Sequence, residues 1–218
     1  MAEFPDDSIT CIMGESGAGK TTLVRIIAGL ENADRGTVSG AGVVSFDFQE
    51  DRLINDISAA DNIMLVLDKN DFGGYDKKTM RKIINENLAE VLKDYPSDKS
   101  TGTYSGGMKR RVCLVRAMMK KSDTVILDEP FSGLDPVNSQ TLKEVVQEQI
   151  QDGKLVIFSS HQMNYVEEFC EDIVILHHGD VVLQGNLKQI KKEYGKNRIV
   201  IRALYPKKQE FRELLETQ

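Results

Sequence analysis

The chain has 218 residues, 40 % of them hydrophobic and 28 % charged, which is the balance of an ordinary folded domain. Its net charge of −6 argues against a surface that binds nucleic-acid phosphates, so we predict no nucleic-acid partner. The longest apolar run, at residues 63–67, is far shorter than the roughly 20 residues of a transmembrane helix. The first residues, MAEFPDDS, lack the pattern of a signal peptide. Composition therefore favours one domain, with or without an extra lobe, that would need another chain to span a membrane.

The cysteines and the basic runs are predicted to be structural. Cys11, Cys113 and Cys170 form no CxxC pair, and each lies in an apolar stretch. Buried, reduced thiols of a cytoplasmic protein are the favoured interpretation. The basic runs at residues 109–111 and 191–192 are more typical of solvated helix faces than of a binding patch.

Strand-like and helix-like segments alternate in the first part of the chain. ITCIM (9–13) and GVVSFDF (42–48) predict strands on either side of the helical KTTLVRIIAGL (20–30). Residues 51–120 then show three helical patterns, at 58–68, 76–95 and 106–121, with no convincing strand between them.

The alternation returns after residue 120. DTVILD (123–128) and KLVIFSS (154–160) predict strands, and helical patterns follow them at 139–151 and 162–170. DIVILHHGDVVLQG (172–185) predicts a hairpin that turns at Gly179-Asp180. Apolar strands without polar alternation are typical of a parallel sheet covered on both faces. We therefore predict an α/β core that a helical segment interrupts.

A glycine-rich loop follows the first strand. GESGAGKT (14–21) matches G-x-x-x-x-G-K-[ST] between a strand and a helix, a context that disfavours a simple turn without a ligand. Its glycines let backbone N–H groups point inward at an anion, and the helix dipole adds to the attraction. Lys20 would meet the β- and γ-phosphates, and the Thr21 hydroxyl is a hard ligand for Mg²⁺. We predict a nucleoside triphosphate site formed by Gly14, Glu15, Ser16, Gly17, Ala18, Gly19, Lys20, Thr21 and Thr22.

A second apolar strand ends in two acids. TVILDEP (124–130) would deliver the Asp128 carboxylate to the magnesium side of the glycine-rich loop. Glu129 is then the candidate that polarises the attacking water. The alternative, a polar strand end in a turn, is less favoured beside such a loop.

The motifs together resemble those of the ATPase subunit of ABC transporters, in the family's order and over nearly the whole chain. The two segments above are similar to its Walker A loop and Walker B strand. The others are FQEDRL (48–53) for the glutamine loop, YSGGMKRR (104–111) for the signature, SGLD (132–135) for the D-loop and SSH (159–161) for the histidine switch. The resemblance implies a single ABC ATPase domain over 1–218, with a P-loop NTPase (RecA-like) core and a parallel-rich sheet.

Within that domain, the resemblance implies a nucleotide-binding core from residues 1–50 and 121–195. An α-helical signature subdomain would cover 51–120, and a strand-helix tail 196–218. The family commonly has an adenine-stacking aromatic residue further upstream of the P-loop lysine than this sequence extends. That residue and the first strands of the antiparallel subdomain are therefore expected to be missing, and Phe4 is expected to pack beneath the sheet.

The signature segment, with Gly106 and Gly107, is a second glycine-rich helix start, and the dimer that the resemblance implies would explain its presence. Two subunits would pair head to tail around two ATP–Mg²⁺, and the signature of one would cap the γ-phosphate held by the other. Gln49 would sense Mg²⁺ and the attacking water, and His161 would contact the γ-phosphate. The implied residues are Ser105, Gly106, Gly107, Met108 and Asp135 at the dimer interface, Glu129, His161 and Gln49 for catalysis, and Thr21, Gln49 and Asp128 for the metal.

The implied partners are a second ATPase subunit, identical or different, and a transmembrane permease subunit. Such a motor would hydrolyse ATP to drive transport from the cytoplasmic, inner face of the cell membrane. Two alternatives stay open. A soluble ABC ATPase of DNA repair is disfavoured, because the segment between the glycine-rich loop and the signature is too short for the long coiled coil of that type. A translation ATPase is disfavoured because that type has two cassettes in one chain and this chain has one. A nucleotide-binding scaffold with little or no ATPase activity is the other.

The two halves of the chain resemble different branches of the family. Residues 36–53 and SGGMKRRV look like nitrate-, sulfonate- or taurine-type importer subunits, with Tyr104 and Met108 in place of the commoner Leu and Gln. PFSGLDPVN, FSSHQMNYVEEFC and VVLQGNLKQIKKEYG are more similar to sodium or multidrug efflux ATPases. Either the chain is a natural intermediate, or it is recombined with a junction in or near DEPFSGLD.

Overall fold

The computed structural model describes residues 2–5, 8–92, 95–132 and 136–195. Its described part contains six strands and seven α-helices. The strands are β1 (Ile9–Met13), β2 (Val44–Asp47), β3 (Thr124–Leu127), β4 (Leu155–Ser160), β5 (Asp172–His177) and β6 (Asp180–Asn186). The helices are α1 (Lys20–Ile27), α2 (Ala59–Met64), α3 (Lys77–Leu92), α4 (Gly106–Met118), α5 (Pro136–Gln151), α6 (Met163–Phe169) and α7 (Leu187–Tyr194). Residues 1–187 form one compact unit, and a second unit starts at Lys188, inside α7.

The six strands form one sheet in the order β2-β3-β4-β1-β5-β6. All neighbours pair in parallel except β5 and β6, which are antiparallel. The side chains of β3 are all buried, as are nearly all of those of β1 and β4. The fold is therefore the predicted α/β architecture with a parallel-rich sheet, and the carboxyl ends of β1, β3 and β4 meet at one edge.

Helix α1 is shorter than predicted because it is closed by a glycine. Gly29 takes a left-handed φ of 69°. Its N–H donates to the Ile26 carbonyl at 3.0 Å, and the Leu30 N–H donates to the Arg25 carbonyl at 2.8 Å. This pair of bonds is the Schellman ending of a helix, so residues 28–30 lie outside α1.

The hairpin turns one residue earlier than predicted. Its two turn residues are His178 and Gly179, with φ values of 48° and 88°. His177 pairs with Asp180 across the turn, so Asp180 belongs to β6. Two consecutive positive φ angles are typical of the tight type I′ turn, whose twist matches that of antiparallel strands.

Residues 51–120 hold a second hydrophobic core, away from the sheet. Helices α2, α3 and α4 surround it, and Ile63, Ile84, Leu88 and Val112 are fully buried there. Within this segment, leaving out 93 and 94, the structure contains helices and no strand. The prediction of a helical insertion between β2 and β3 agrees with this arrangement.

The basic run at residues 109–111 is not the solvated helix face that we predicted. Arg110 is only 5 % exposed, and its Nη2 lies 2.6 Å from Oδ2 of the fully buried Asp47. Its Nη1 donates to the Phe48 carbonyl at 2.6 Å, and its Nε to the Pro130 carbonyl at 3.5 Å. Burial raises the pKa of Asp47 to about 6, although the Arg110 charge acts in the opposite direction. Arg110 thus connects the start of α4 to the sheet.

Other structural predictions have mixed outcomes. Cys11 and Cys113 are buried free thiols as predicted, whereas Cys170 is only partly buried. Phe4 packs against the core cluster on the sheet, as expected. None of the helices that the structure describes is both long enough and apolar enough to cross a bilayer.

Candidate nucleotide-binding site

The glycine-rich loop connects the end of β1 to the start of α1. A Cβ on Gly14 would lie 2.6 Å from the Leu176 carbonyl oxygen, so the loop can pass the end of β5 only with glycine at this position. Gly17 and Gly19 have left-handed φ angles of 84° and 98°. No side chain caps α1, and a helix start of this kind is suited to bind an anion.

Lys20 is buried at this loop and points back over it. Its Nζ donates to the Gly14 carbonyl at 2.9 Å and to the Glu15 carbonyl at 3.2 Å. The same Nζ lies 3.5 Å from the Glu129 carboxylate, which is also buried. A cation is therefore fixed at the mouth of the loop by two carbonyls and one carboxylate.

Thr21 and Asp128 form a pair of hard oxygen donors. The Thr21 hydroxyl lies 3.3 Å from Oδ1 of Asp128, which is 1 % exposed. Within the described ranges, including this site, no group of three or more His, Cys, Asp or Glu side chains could hold a metal ion. A hydroxyl and one carboxylate fit Mg²⁺, which commonly takes one or two protein oxygens and completes its shell with phosphate and water.

Glu129 occupies the centre of the site. Its Oε2 lies 3.0 Å from Nδ1 of His161, on the side away from Lys20. An ionised carboxylate can only accept, so Nδ1 of His161 is the donor in this contact. The backbone of Glu129 has a positive φ of 50°, which is uncommon for a residue with a side chain. Strain of this type concentrates at functional sites.

A cleft of about 1170 Å³ contains most of the predicted residues. It is lined by Gly14, Glu15, Ser16, Gly17, Gly19, Lys20, Thr21, Thr22, Gln49, Glu129 and His161, together with Met13, Met163 and the ends of β5 and β6. Ala18 instead accepts a hydrogen bond from the Gly179 N–H at 3.1 Å, which ties the loop to the hairpin. Gln49 also lines a second cavity, of about 490 Å³, with Gly106 and Gly107.

The signature residues lie outside the cleft of their own chain. Ser105 and Gly106 are exposed, and Gly107 and Met108 are partly exposed. The Ser105 hydroxyl caps α4 by accepting from the Met108 N–H at 3.3 Å. Met108 packs against the core of the helical segment. The structure does not bring these residues to the Walker A loop of the same chain, and Asp135 lies outside the described residues.

Sequence reasoning missed two residues next to the site. One is Arg110, since a basic run gives no sign of burial. The other is Ser159, which is fully buried and hydrogen-bonded to the end of β3. The parallel register aligns Leu127 with Phe158 and so places the next residues, Asp128 and Ser159, side by side, and the sequence alone gave no signal of this register.

Comparisons with known proteins identify the family of this chain. A family model described as ABC transporter matches residues 2–132. The protein named "Uncharacterized ABC transporter ATP-binding protein YhaQ" of Bacillus subtilis is 33 % identical over 211 residues, which are 92 % of this chain and 70 % of the relative. The "ABC transporter ATP-binding protein NatA" of the same species is 30 % identical over 200 residues, with 82 % and 77 % covered. The chain therefore belongs to the ABC transporter family.

A solved structure shows the same fold. It is the dimeric, post-hydrolysis state of the ATP-binding cassette MJ0796 bound to ADP and Pi. The two folds agree with a TM-score of 0.75 over 85 % of this chain and 88 % of that chain, at 24 % identity. This similarity supports the fold described above, an α/β sheet with a helical insertion.

Proposed function

We propose that this chain is the ATP-binding and ATP-hydrolysing subunit of an ABC transporter. The observation that carries the proposal is the position of Glu129, which lies between the buried Lys20 and His161 and next in sequence to the paired Asp128. A lysine cation, two oxygen donors suited to a metal, a carboxylate and an imidazole thus meet in one cleft at the edge of the sheet.

Each side chain has a role that follows from its place. Lys20 and the N–H groups of the loop would bind the β- and γ-phosphates. Thr21 and Asp128 would hold Mg²⁺, with Gln49 facing the same cleft. When bound, Mg²⁺ neutralises charge that develops on the phosphate oxygens.

Glu129 and His161 would act on the water and the γ-phosphate. The Glu129 carboxylate can accept a hydrogen bond from a water aimed at the phosphorus, which orients and polarises that water. Its contact with His161 fixes the imidazole tautomer, since Nδ1 carries the proton. The other ring nitrogen would then be the one that faces the γ-phosphate.

The proposed assembly is a head-to-tail dimer around two nucleotides, with an identical or a different second subunit. The exposure of Ser105 and Gly106, outside the cleft of their own chain, supports this arrangement. Gln49 borders both the cleft and the cavity at the signature, so it is suited to couple the two. Asp135 would lie at the same interface.

A transmembrane permease is the second proposed partner, which would place the chain at the inner face of the membrane. Three large apolar side chains between residues 54 and 66 are about half exposed or more: Ile54 at 52 %, Leu65 at 62 % and Val66 at 50 %. Val66 also lines a groove of about 380 Å³ between β2 and the helical segment. An exposed apolar surface of this kind is typical of a protein interface. The importer-like first half, the exporter-like second half and a recombined origin stay predictions.

Equilibrium binding of ATP–Mg²⁺ and phosphate release by the purified chain test the function. Lys20→Ala should weaken ATP binding roughly 10-fold or more, because a buried charge-assisted contact with phosphate is lost. The matched control is Lys82→Ala, since Lys82 lies exposed on α3 and does not line the cleft. Equal affinities of the two variants would contradict the proposal, and binding without phosphate release would favour a scaffold.

A further inference from the structure

Ser159 is a polar residue with no exposed surface, located at the end of β4. Its hydroxyl donates to Oδ1 of Asp128 at 2.6 Å. The Ser159 hydroxyl oxygen also accepts a hydrogen bond from the backbone N–H of Glu129 at 2.9 Å. One hydroxyl therefore contacts both consecutive acids, the first through its side chain and the second through its backbone.

We propose that Ser159 is a positioning residue that holds Asp128 and Glu129 in the geometry needed for metal binding and hydrolysis. The inference deepens the proposed ATPase function and rests on it. Ser159 acts through these two acids and is not assigned a contact with nucleotide.

The first effect concerns Asp128. Its Oδ1 accepts from Ser159 at 2.6 Å and lies 3.3 Å from the Thr21 hydroxyl. Two hydroxyl groups at one oxygen restrict the rotation of the carboxylate. A metal ligand whose orientation is fixed by an outer hydrogen bond binds more tightly, and loss of such a bond commonly costs about 10- to 100-fold in metal affinity or activity.

The second effect concerns Glu129. Its φ of 50° is unfavourable for a residue with a Cβ and needs support from the surrounding structure. The hydrogen bond from its N–H to Ser159 provides that support. His161, two residues after Ser159, contacts the carboxylate of Glu129. The end of β4 thus holds the backbone and the side chain of Glu129 at two separate points.

The test compares Ser159→Ala with a variant that loses a similar buried hydrogen bond elsewhere. Thr124 begins β3, at the end of the strand opposite to Asp128, and its hydroxyl donates to the Ala41 carbonyl at 2.7 Å. Thr124→Val therefore reports the effect of a lost buried hydroxyl on the fold alone. Ser159→Thr keeps the hydroxyl and is the rescue variant. If Ser159→Ala does not fold, Ser159→Cys replaces it, because a thiol fills the space but is only a weak hydrogen-bond donor.

Three quantities are measured for each variant: the Tm, the ratio of the ATP Kd values without and with Mg²⁺, and kcat. We expect Ser159→Ala to lower both the Mg²⁺-induced gain in affinity and kcat by about 10-fold or more. Its ATP affinity without metal and its Tm should change no more than those of Thr124→Val. Ser159→Thr, when it folds, should recover most of the loss.

Two results would overturn the inference. One is a Ser159→Ala protein that keeps its Mg²⁺ gain and its kcat within a factor of two of the parent. The other is a Thr124→Val protein with the same losses as Ser159→Ala, since the effect would then follow from stability. A parent chain that neither gains ATP affinity from Mg²⁺ nor hydrolyses ATP would instead contradict the proposed function, and the inference would fall with it.

Discussion

Two helices of this protein start at glycines predicted to meet phosphate, and their surroundings differ. Helix α1 starts inside a cleft, without a side-chain cap, beside a buried cation and two acids. Helix α4 starts on the surface, capped by its own Ser105, and a Cβ on Gly106 would meet no atom within 4 Å. The first helix start lies beside the cation, the metal-ligand candidates and the acid that we propose for phosphate chemistry. In the described part of the chain, neither Lys20, Glu129 nor His161 lines the cavity at the second helix start, which is the expected condition of half of a shared site.

The largest expected effect is on hydrolysis at the α1 cleft. Glu129→Gln keeps the size of the side chain but removes the carboxylate that we propose polarises water. ATP binding should be retained, and kcat should fall by about 10²–10⁴-fold. Glu148→Gln, on the exposed side of α5, is the control for charge loss. A Glu129→Gln protein that hydrolyses ATP within a factor of two of the parent would remove Glu129 from its assigned role.

The next effect concerns the connection between α4 and the sheet. Arg110→Met leaves the carboxylate of Asp47 buried without its cation, which should lower the free energy of unfolding by about 3–5 kcal/mol. Urea unfolding measures this loss. The double variant Arg110→Met, Asp47→Leu should regain most of it, because an apolar pair can replace a buried ion pair. No recovery in the double variant would contradict this interpretation.

The loss in Arg110→Met should also depend on pH, with a sign that follows from Asp47. The folded pKa of Asp47 is already raised to about 6, and removal of the Arg110 charge raises it further. Between its ordinary value and this raised value, the folded state binds more protons than the unfolded state, so stability falls as pH rises. The variant should therefore be less destabilised at pH 5 than at pH 8. If Arg110→Met were destabilised equally at both pH values, the unpaired carboxylate of Asp47 would not be the cause of its stability loss.

The smallest expected effect is on base preference. In the described part of the cleft lining there is no Phe, Tyr or Trp side chain on which adenine could stack. Such stacking is commonly worth about 1–3 kcal/mol per base. Phosphate contacts should then dominate, and a competition titration should give similar Kd values for ATP and GTP, within about 5-fold. A strong preference for ATP would mean that another residue binds the base.

The sequence predicted what local patterns determine. GESGAGKT between a strand and a helix predicted the loop at α1, and unbroken apolar strands predicted the parallel sheet. Contacts between segments that are distant in the sequence could not be predicted from local patterns. Arg110 looked solvated because its partner, Asp47, lies on a strand far away in the sequence. Ser159 gave no signal as one of two serines at the end of an apolar strand, although its register beside Asp128 decides its contacts. The hairpin turn shifted by one residue because His178, and not Asp180, takes a positive φ.

The central claim is that the signature helix serves a nucleotide held by another subunit. Gly106→Asp tests it most directly, because the new side chain has free space in the subunit itself but would bring a negative charge against a partner's γ-phosphate. Sedimentation with ATP–Mg²⁺ compares Glu129→Gln with Glu129→Gln, Gly106→Asp. We predict an ATP-dependent dimer for the first and a monomer that still binds ATP for the second. A normal dimer of the double variant, or a Glu129→Gln chain that stays monomeric with ATP, would contradict the shared site.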